Sequence, residues 1–218
     1  MIKLKRLIRA DDRRTTRFHD GKGRLHLHPD MLRSAVSTYR RHAHSIYPTL
    51  PWLTYPAIAQ IKKLVAGRRV FEFGAGTSTI WFAKNARQVV SVENNNEWYE
   101  RSAMLLKTYR NANVVYIESE DRFLDCLDGH EPFDVYLIDC QSQKSYDRST
   151  EELRIMCMEM AFYHGGPEAL YVIDNTDVNT MLDERIDVIF SSMRVRRFSG
   201  WVPGIFHPNE TTLVMSAT

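Results

Sequence analysis

Cysteine is scarce: the chain of 218 residues has three, Cys126, Cys140 and Cys157, an odd number without the paired spacing of a zinc ligand set. Disulfides are therefore not expected to organise the fold, and a reducing, cytoplasmic setting is. Long apolar runs are missing as well. The start MIKLKRLIRADDRR is charged and holds no stretch fit for a signal peptide, and no later segment approaches a membrane span, so a soluble protein is expected. Nor is there an excess of one charge. The 29 Lys and Arg nearly cancel the 27 Asp and Glu to a formal +2, which leaves no global field of the kind that nonspecific nucleic-acid binders use. Neither a Gly-Lys-Ser/Thr phosphate loop nor a Gly-x-Ser-x-Gly elbow occurs, which removes support for phosphoryl transfer and serine hydrolysis. There is no internal repeat and no low-complexity segment.

With 44% hydrophobic residues the chain can bury one full core but not comfortably two, so one domain with a leading extension is expected. Local charge is uneven. Residues 1–24 carry nine basic groups against three acids, which suits either a solvated terminus or docking onto an anionic surface. Histidines gather early, at His19, His26, His28, His42 and His44. An extended segment would put His26 and His28 on one face, but no cysteine or acid completes a metal site there, and solvated side chains are the plainer reading.

Apolar positions at Leu32, Ala35, Val36, Tyr39, Ala43 and Ile46 describe one face of a helix capped by Asp30 and stopped at Pro48. A second helix follows over Ile58 to Val65, closed by Gly67. Strands and helices then alternate: strand 70–73, a helix from Ser78, strand 88–92, helix 97–108, strand 113–117, a short helix at 120–127 and strand 133–138. Helix 150–164, strand 169–173, helix 179–190, strand 194–198 and strand 211–216 complete the chain. Such alternation predicts an α/β fold, a mainly parallel seven-stranded sheet with helices on both faces. The last two strands lack an intervening helix, and Ser199 to Glu210 reads as a link with glycine and proline, so the final strand is predicted antiparallel. The organisation expected is an extension over 1–57 and a cofactor-binding domain over 58–218.

The stretch Val70-Phe71-Glu72-Phe73-Gly74-Ala75-Gly76-Thr77-Ser78-Thr79 ends a strand in Gly-Ala-Gly and starts a helix. There the backbone can pass close to a ligand while the helix offers free N–H groups. Glu93 ends the next strand, 19 positions on (93 − 74), where an acid can accept hydrogen bonds from ribose hydroxyls. A glycine pair alone also makes ordinary turns, and an NAD-linked oxidoreductase shares this spacing. Three features point elsewhere: Thr79 replaces the third glycine of the dinucleotide pattern, Glu72 is an acid inside an apolar strand, and the chain ends in a hairpin-like pair.

At these residues the sequence resembles the class I S-adenosylmethionine-dependent methyltransferases, a Rossmann-like fold, over about residues 58–216. The resemblance implies that Glu72, Gly74, Gly76 and Ser78 surround the amino-acid part of S-adenosyl-L-methionine, with Glu93 on the ribose and Ser119 and Glu120 beside the adenine. Leading segments of such enzymes often form a lid, which Trp52 and Tyr55 could supply, although core packing is the plainer reading for both. The helically spaced Trp81, Phe82, Trp98, Tyr99 and Tyr109 read as core.

Phe133 to Asp139 puts a carboxylate at the end of the fourth strand, and Tyr171 to Asn175 puts a carboxylate and an amide at the end of the fifth, the edge where open α/β sheets bind ligands. This layout resembles the metal-dependent catechol and caffeoyl-coenzyme A O-methyltransferases. It implies Asp139, Asp174 and Asn175 as ligands of Mg²⁺ or another divalent cation, and Lys144 as general base with Asp139 in the catalytic group. Lys144 follows Asp139 by five positions, farther than in those families. In metal-free class I enzymes the same acids touch the cofactor or cap a helix, and the base would then be His164, His207 or an acid. Enzymes that methylate amino groups of nucleic acids carry Asp/Asn-Pro-Pro-aromatic after the fourth strand. This chain has Ile138-Asp139-Cys140-Gln141 there, so a hydroxyl acceptor on a small molecule or glycan is expected, and no nucleic acid. A cofactor-binding subunit without chemistry is the remaining alternative.

Overall fold

The computed structural model describes residue 18 and residues 27–217. Most of the basic arm, with His19 and His26, lies outside the described residues. Helix α1, Pro29–His44, is capped by His28, whose Nδ1 accepts from the Asp30 amide at 3.2 Å; the expected Asp30 cap is itself inside the helix. Proline at the first helical position explains the shift, since it needs no hydrogen bond for its nitrogen. Helix α2, Tyr55–Leu64, has residue 58 within its first turns.

Seven strands follow: β1 Arg69–Phe73, β2 Gln88–Glu93, β3 Ala112–Tyr116, β4 Val135–Ile138, β5 Leu170–Asp174, β6 Arg194–Val202 and β7 Ile205–Met215. Between them lie α3 Thr77–Asn85, α4 Asn96–Leu106, α5 Glu120–Leu124, α6 Thr150–Gly165 and α7 Thr180–Ile189. They form one sheet in the order β3-β2-β1-β4-β5-β7-β6, with β1 to β5 parallel and β7 antiparallel to both β5 and β6. Chain order reverses between β1 and β4, so a crevice opens beyond their carboxyl ends.

Because side chains alternate along a strand, each strand feeds two cores. Phe71, Phe73, Tyr136, Ile138, Tyr171 and Ile173 pack beneath α6 and α7. Val70, Val135, Leu137, Val172 and Leu213 pack against α2 and α3 on the other face.

The C-terminal pair differs from expectation in extent. The segment read as a link is strand, because Pro203 and Gly204 make a tight turn with Gly204 at φ 76° and Val202 opposite Ile205. Pro208 sits in β7 opposite Trp201, but β5 pairs only from Thr211 onward, so its missing N–H breaks no bond to β5. Helix α1 docks on this hairpin: Ser34 Oγ donates to the Ile205 carbonyl at 2.7 Å, and the Gly204 amide donates to Ser37 Oγ at 2.8 Å. The chain then returns to the sheet, where Thr54 Oγ1 donates to the Phe198 carbonyl at 2.9 Å. Among the described residues no helix is long and apolar enough to cross a membrane.

Candidate active site

A cavity of about 490 Å³ opens at the carboxyl edge of β1, β4 and β5, within the range of small-molecule sites. The structure brings Gly74, Gly76, Ser78, Glu93, Asp139, Asp174 and Asn175 into its wall. Glu72, Ser119, Glu120 and Lys144 are outside it.

Gly74 stands at φ 94°, and a Cβ there would meet the Asp139 carbonyl oxygen at 2.8 Å, so conformation and close approach both call for glycine. Gly76 is different. A Cβ added to it meets nothing within 4 Å, which leaves open space in the wall where α3 presents its first amides. Thr79 Oγ1 accepts from the Gly76 amide at 3.0 Å and donates to Glu72 Oε2 at 2.6 Å, and Ser91 Oγ donates to the same oxygen at 2.5 Å. Glu72 thus lies behind the turn, fully buried, and braces it from within. Its Oε1 has no hydrogen-bond partner, and burial pushes its carboxyl up to about 7 against the lowering effect of the surrounding hydroxyls.

Glu93 is stapled to the turn. Oε2 accepts from the Ala75 amide at 2.6 Å and Oε1 from the Asn95 amide at 2.7 Å. A carboxylate has about four acceptor positions, so two remain for a ligand. Burial raises Glu93 to about 7, partly offset by these amides.

The loop after β4 is tied down on both sides. Asn94 Nδ2 donates to the Gln141 carbonyl at 2.8 Å, the Ser142 amide donates to Thr150 Oγ1 at 3.0 Å, and Ser142 Oγ donates to the Arg148 carbonyl at 2.6 Å. Lys144 is consequently exposed and outside the wall, so the expected base is not delivered to the cavity. Ser119 and Glu120 line a separate hollow with Tyr146 and Arg148. There Glu120 pairs with Arg148 and accepts from the Asp147 amide at 3.0 Å, contacts that hold it in that hollow and not in the wall of the larger cavity. His164 is engaged elsewhere: one ring nitrogen lies 2.6 Å from the Tyr136 hydroxyl and the other 2.9 Å from the His130 carbonyl. His207 is in the wall, with Nδ1 2.9 Å from the Pro208 carbonyl.

The acidic end of the cavity contains a residue that the sequence reading missed. Arg154, on α6, is 1% exposed and reaches four oxygens. Nε donates to the Cys140 carbonyl at 2.8 Å, Nη1 to the Asp174 carbonyl at 2.7 Å and to Asn175 Oδ1 at 2.9 Å, and Nη2 to Asp139 Oδ1 at 2.8 Å. The Asp139 side chain keeps 27% of its surface, on the cavity; burial raises its carboxyl, and the guanidinium pulls it back. Asp174 faces β7 instead. Thr211 Oγ1 donates to it at 2.7 Å and Asn209 Nδ2 at 3.0 Å, while burial and then the charge of Asp139 raise it to about 8.

The trio expected to bind Mg²⁺ therefore does not fit a divalent cation: a guanidinium already holds the oxygens of Asp139 and Asn175, and the Asp174 carboxylate is committed to β7. Among the described residues no group of three or more His, Cys, Asp or Glu could hold a metal ion. The signal for Arg154 lay in its phase, since it shares the buried face of α6 with Leu153, Cys157, Met158 and Ala161.

An aromatic wall was half expected. Trp52 and Trp98 both line the cavity, edge to face at 5.3 Å, and Tyr47 stacks on Trp52 at 6.4 Å. The Arg41 guanidinium lies 4.8 Å from the Trp52 ring, and that of Arg101 lies 3.2 Å from Tyr47. Trp98, expected in the core, is a cavity residue, and Tyr55 is buried away from it.

No family model matches the sequence, and no curated relative is found. Solved structures do match. An O-methyltransferase candidate from Klebsiella pneumoniae is 16% identical over 88% of this chain and 100% of its own, with TM-score 0.60. TomG, an O-methyltransferase from Streptomyces achromogenes involved in tomaymycin synthesis and solved with S-adenosylmethionine, is 18% identical over 88% of this chain and 92% of its own, with TM-score 0.58. An O-methyltransferase from Bacillus cereus solved with S-adenosylhomocysteine is 15% identical over 84% of this chain and 98% of its own, with TM-score 0.56. At such identities the likeness speaks to architecture alone, and with the strand order it is decisive there: the chain has the Rossmann-like class I methyltransferase fold.

Proposed function

We propose that the protein is an S-adenosylmethionine-dependent methyltransferase whose acceptor is a hydroxyl of a small molecule or sugar. The observation that carries this reading is the joining of the glycine turn to Glu93 in one cavity with Asp139 and Arg154. The open space at Gly76 and the two remaining acceptor positions of Glu93 fit an adenosyl amino acid, with the α3 amides for its carboxylate and Glu93 for its ribose hydroxyls. When bound, the cofactor supplies a methyl group on a sulfonium centre.

The chain's own residues bind, orient and exclude water. With cofactor and acceptor bound, transfer of the methyl group from sulfur to the acceptor oxygen would free that oxygen's proton, and the chain would have to supply the base that takes it. In place of Lys144 we assign that base to His207. His207 lines the cavity, and its Nδ1 lies 2.9 Å from the Pro208 carbonyl, which orients the ring. Trp52 and Trp98 wall the cavity and keep bulk water from the transfer. Three cysteines without paired spacing, with Cys140 Sγ donating to Cys157 Sγ at 3.8 Å, fit a reducing compartment such as the cytoplasm.

Calorimetric titration with S-adenosylhomocysteine and, separately, with NAD tests the reading. One equivalent of S-adenosylhomocysteine is expected to bind, and preferential binding of NAD refutes the proposal.

A further inference from the structure

We infer that Arg154 is the resident cation of this site and fills, from α6, the place that a divalent metal ion takes in the enzymes the acidic trio resembles. A stabilising role toward the acceptor rests on the proposed methyl transfer; the occupation of the cation's place does not.

Position comes first. Helix α6 is fixed at its start by a capping box: the Glu152 amide donates to Ser149 Oγ at 3.2 Å and the Ser149 amide to Glu152 Oε2 at 2.8 Å. Arg154 then falls one turn in, on the side that faces the sheet. A long basic side chain on a buried face is costly unless every oxygen around it is turned inward. Here they are. Two carbonyls, at the ends of β4 and β5, one amide oxygen and one carboxylate converge on a single guanidinium. Asn175 supports the arrangement with its backbone, at φ 63°, a conformation that asparagine tolerates better than most residues.

Charge comes second. Asp139 and Asp174 are close enough that the charge of Asp139 raises Asp174. One positive group between them relieves that repulsion. Oxygen donors of this kind are the hard ligands that Mg²⁺ or Mn²⁺ prefer, so the site has the chemistry of a cation site and its cation is covalently part of the chain.

Stoichiometry comes third. A guanidinium has five N–H donors, and four are used by the bonds above, so one N–H of Nη2 is left beside the cavity that Arg154 lines. It is suited to an acceptor oxygen as that oxygen gains negative charge.

Mn²⁺ serves as the probe, with free and bound ion distinguished by electron paramagnetic resonance. Wild-type protein, with and without S-adenosylhomocysteine, is expected to bind no Mn²⁺ up to millimolar concentration. Arg154→Met, similar in length and uncharged, is expected to gain a site by about tenfold or more in affinity, because four oxygens lose their donor. One equivalent of Mn²⁺ on the wild type, lost in Asp139→Asn, overturns the inference. So does an Arg154→Met variant, folded by circular dichroism, that ignores Mn²⁺. The wild-type measurement decides the question by itself if that variant does not fold. S-adenosylhomocysteine titration of the same wild-type sample keeps the two readings apart: failure to bind it sinks the methyl-transfer proposal and leaves the place of Arg154 untouched.

Discussion

Replacing Glu72 by glutamine should stabilise the protein in alkaline solution and do little in acid. Glu72 is fully buried behind the glycine turn, and burial raises its carboxyl from 4.5 to about 7. The folded state therefore holds a proton that the unfolded chain gives up, and stability falls as pH rises from 4.5 through 7. At about 1.4 kcal/mol per pKa unit, the whole shift costs the folded state about 3 kcal/mol once Glu72 is ionised. Glutamine keeps the shape and never ionises. The difference between variant and wild type at pH 8, less the same difference at pH 5, is then about 2 to 3 kcal/mol. This double difference cancels the packing cost of the exchange, and other buried acids such as Asp174 contribute equally to both proteins. Urea denaturation followed by tryptophan fluorescence at the two pH values measures it. A variant whose advantage is the same at both pH values, or larger at pH 5, refutes the account of Glu72 as a desolvated acid.

Glu93 is raised to about 7 in the free protein, and hydroxyl donors of a ribose favour its ionised form. Affinity for S-adenosylhomocysteine should accordingly fall below pH 7, by up to about tenfold per unit, in calorimetric titrations; Glu93→Gln should bind it at least about tenfold more weakly at pH 8 and lose that pH dependence. The two glycines separate fold from ligand. Gly76→Val should melt within a few degrees of wild type yet lose S-adenosylhomocysteine binding, whereas Gly74→Ala, forced against the Asp139 carbonyl, should unfold at markedly lower temperature; equal melting of the two removes the steric argument. S-adenosylmethionine carries a positive charge that S-adenosylhomocysteine lacks, so its relative affinity should rise between pH 6 and 8 as Glu93 in the cavity wall and the Asp174 carboxylate turned to β7 ionise, and a ratio flat with pH counts against a field from these acids at the sulfonium.

Local chemistry was legible in the sequence, and long-range accommodation was not. The turn at Gly74 and Gly76 could be read because positive φ and close backbone approach are demands that glycine meets by itself. Parallel alternation up to β5 could be read from period and punctuation. The extended β6–β7 hairpin could not, since Pro208 argues against a strand unless one knows that β7 outruns β5. Lys144 was expected in the site from the resemblance, against its longer spacing from Asp139; the hydrogen bonds of Ser142, which tie that loop down, join residues that sequence order does not link to the cavity. Trp98 shows a different limit: a helical stripe of aromatics has the same period whether it meets a core or a hollow.

Arg154 ties these cases together. The sequence supplied two acids and an amide at the ends of neighbouring strands and so asked for a positive charge, without saying where that charge came from. A metal ion was one answer. The folded chain gives another, because α6 carries an arginine in the same phase as its apolar residues and the capping box at Ser149 sets that phase against the sheet. Once Glu93 and Asp174 have ionised, above about pH 8, one fixed positive charge stands against Asp139, Asp174 and Glu93, and the cavity carries an excess of negative charge. Under the proposed methyl transfer, that excess would favour a cationic sulfonium over the neutral thioether left after the transfer, so the same charge balance would serve both binding and release. A resident divalent ion would remove the excess and, with it, that distinction.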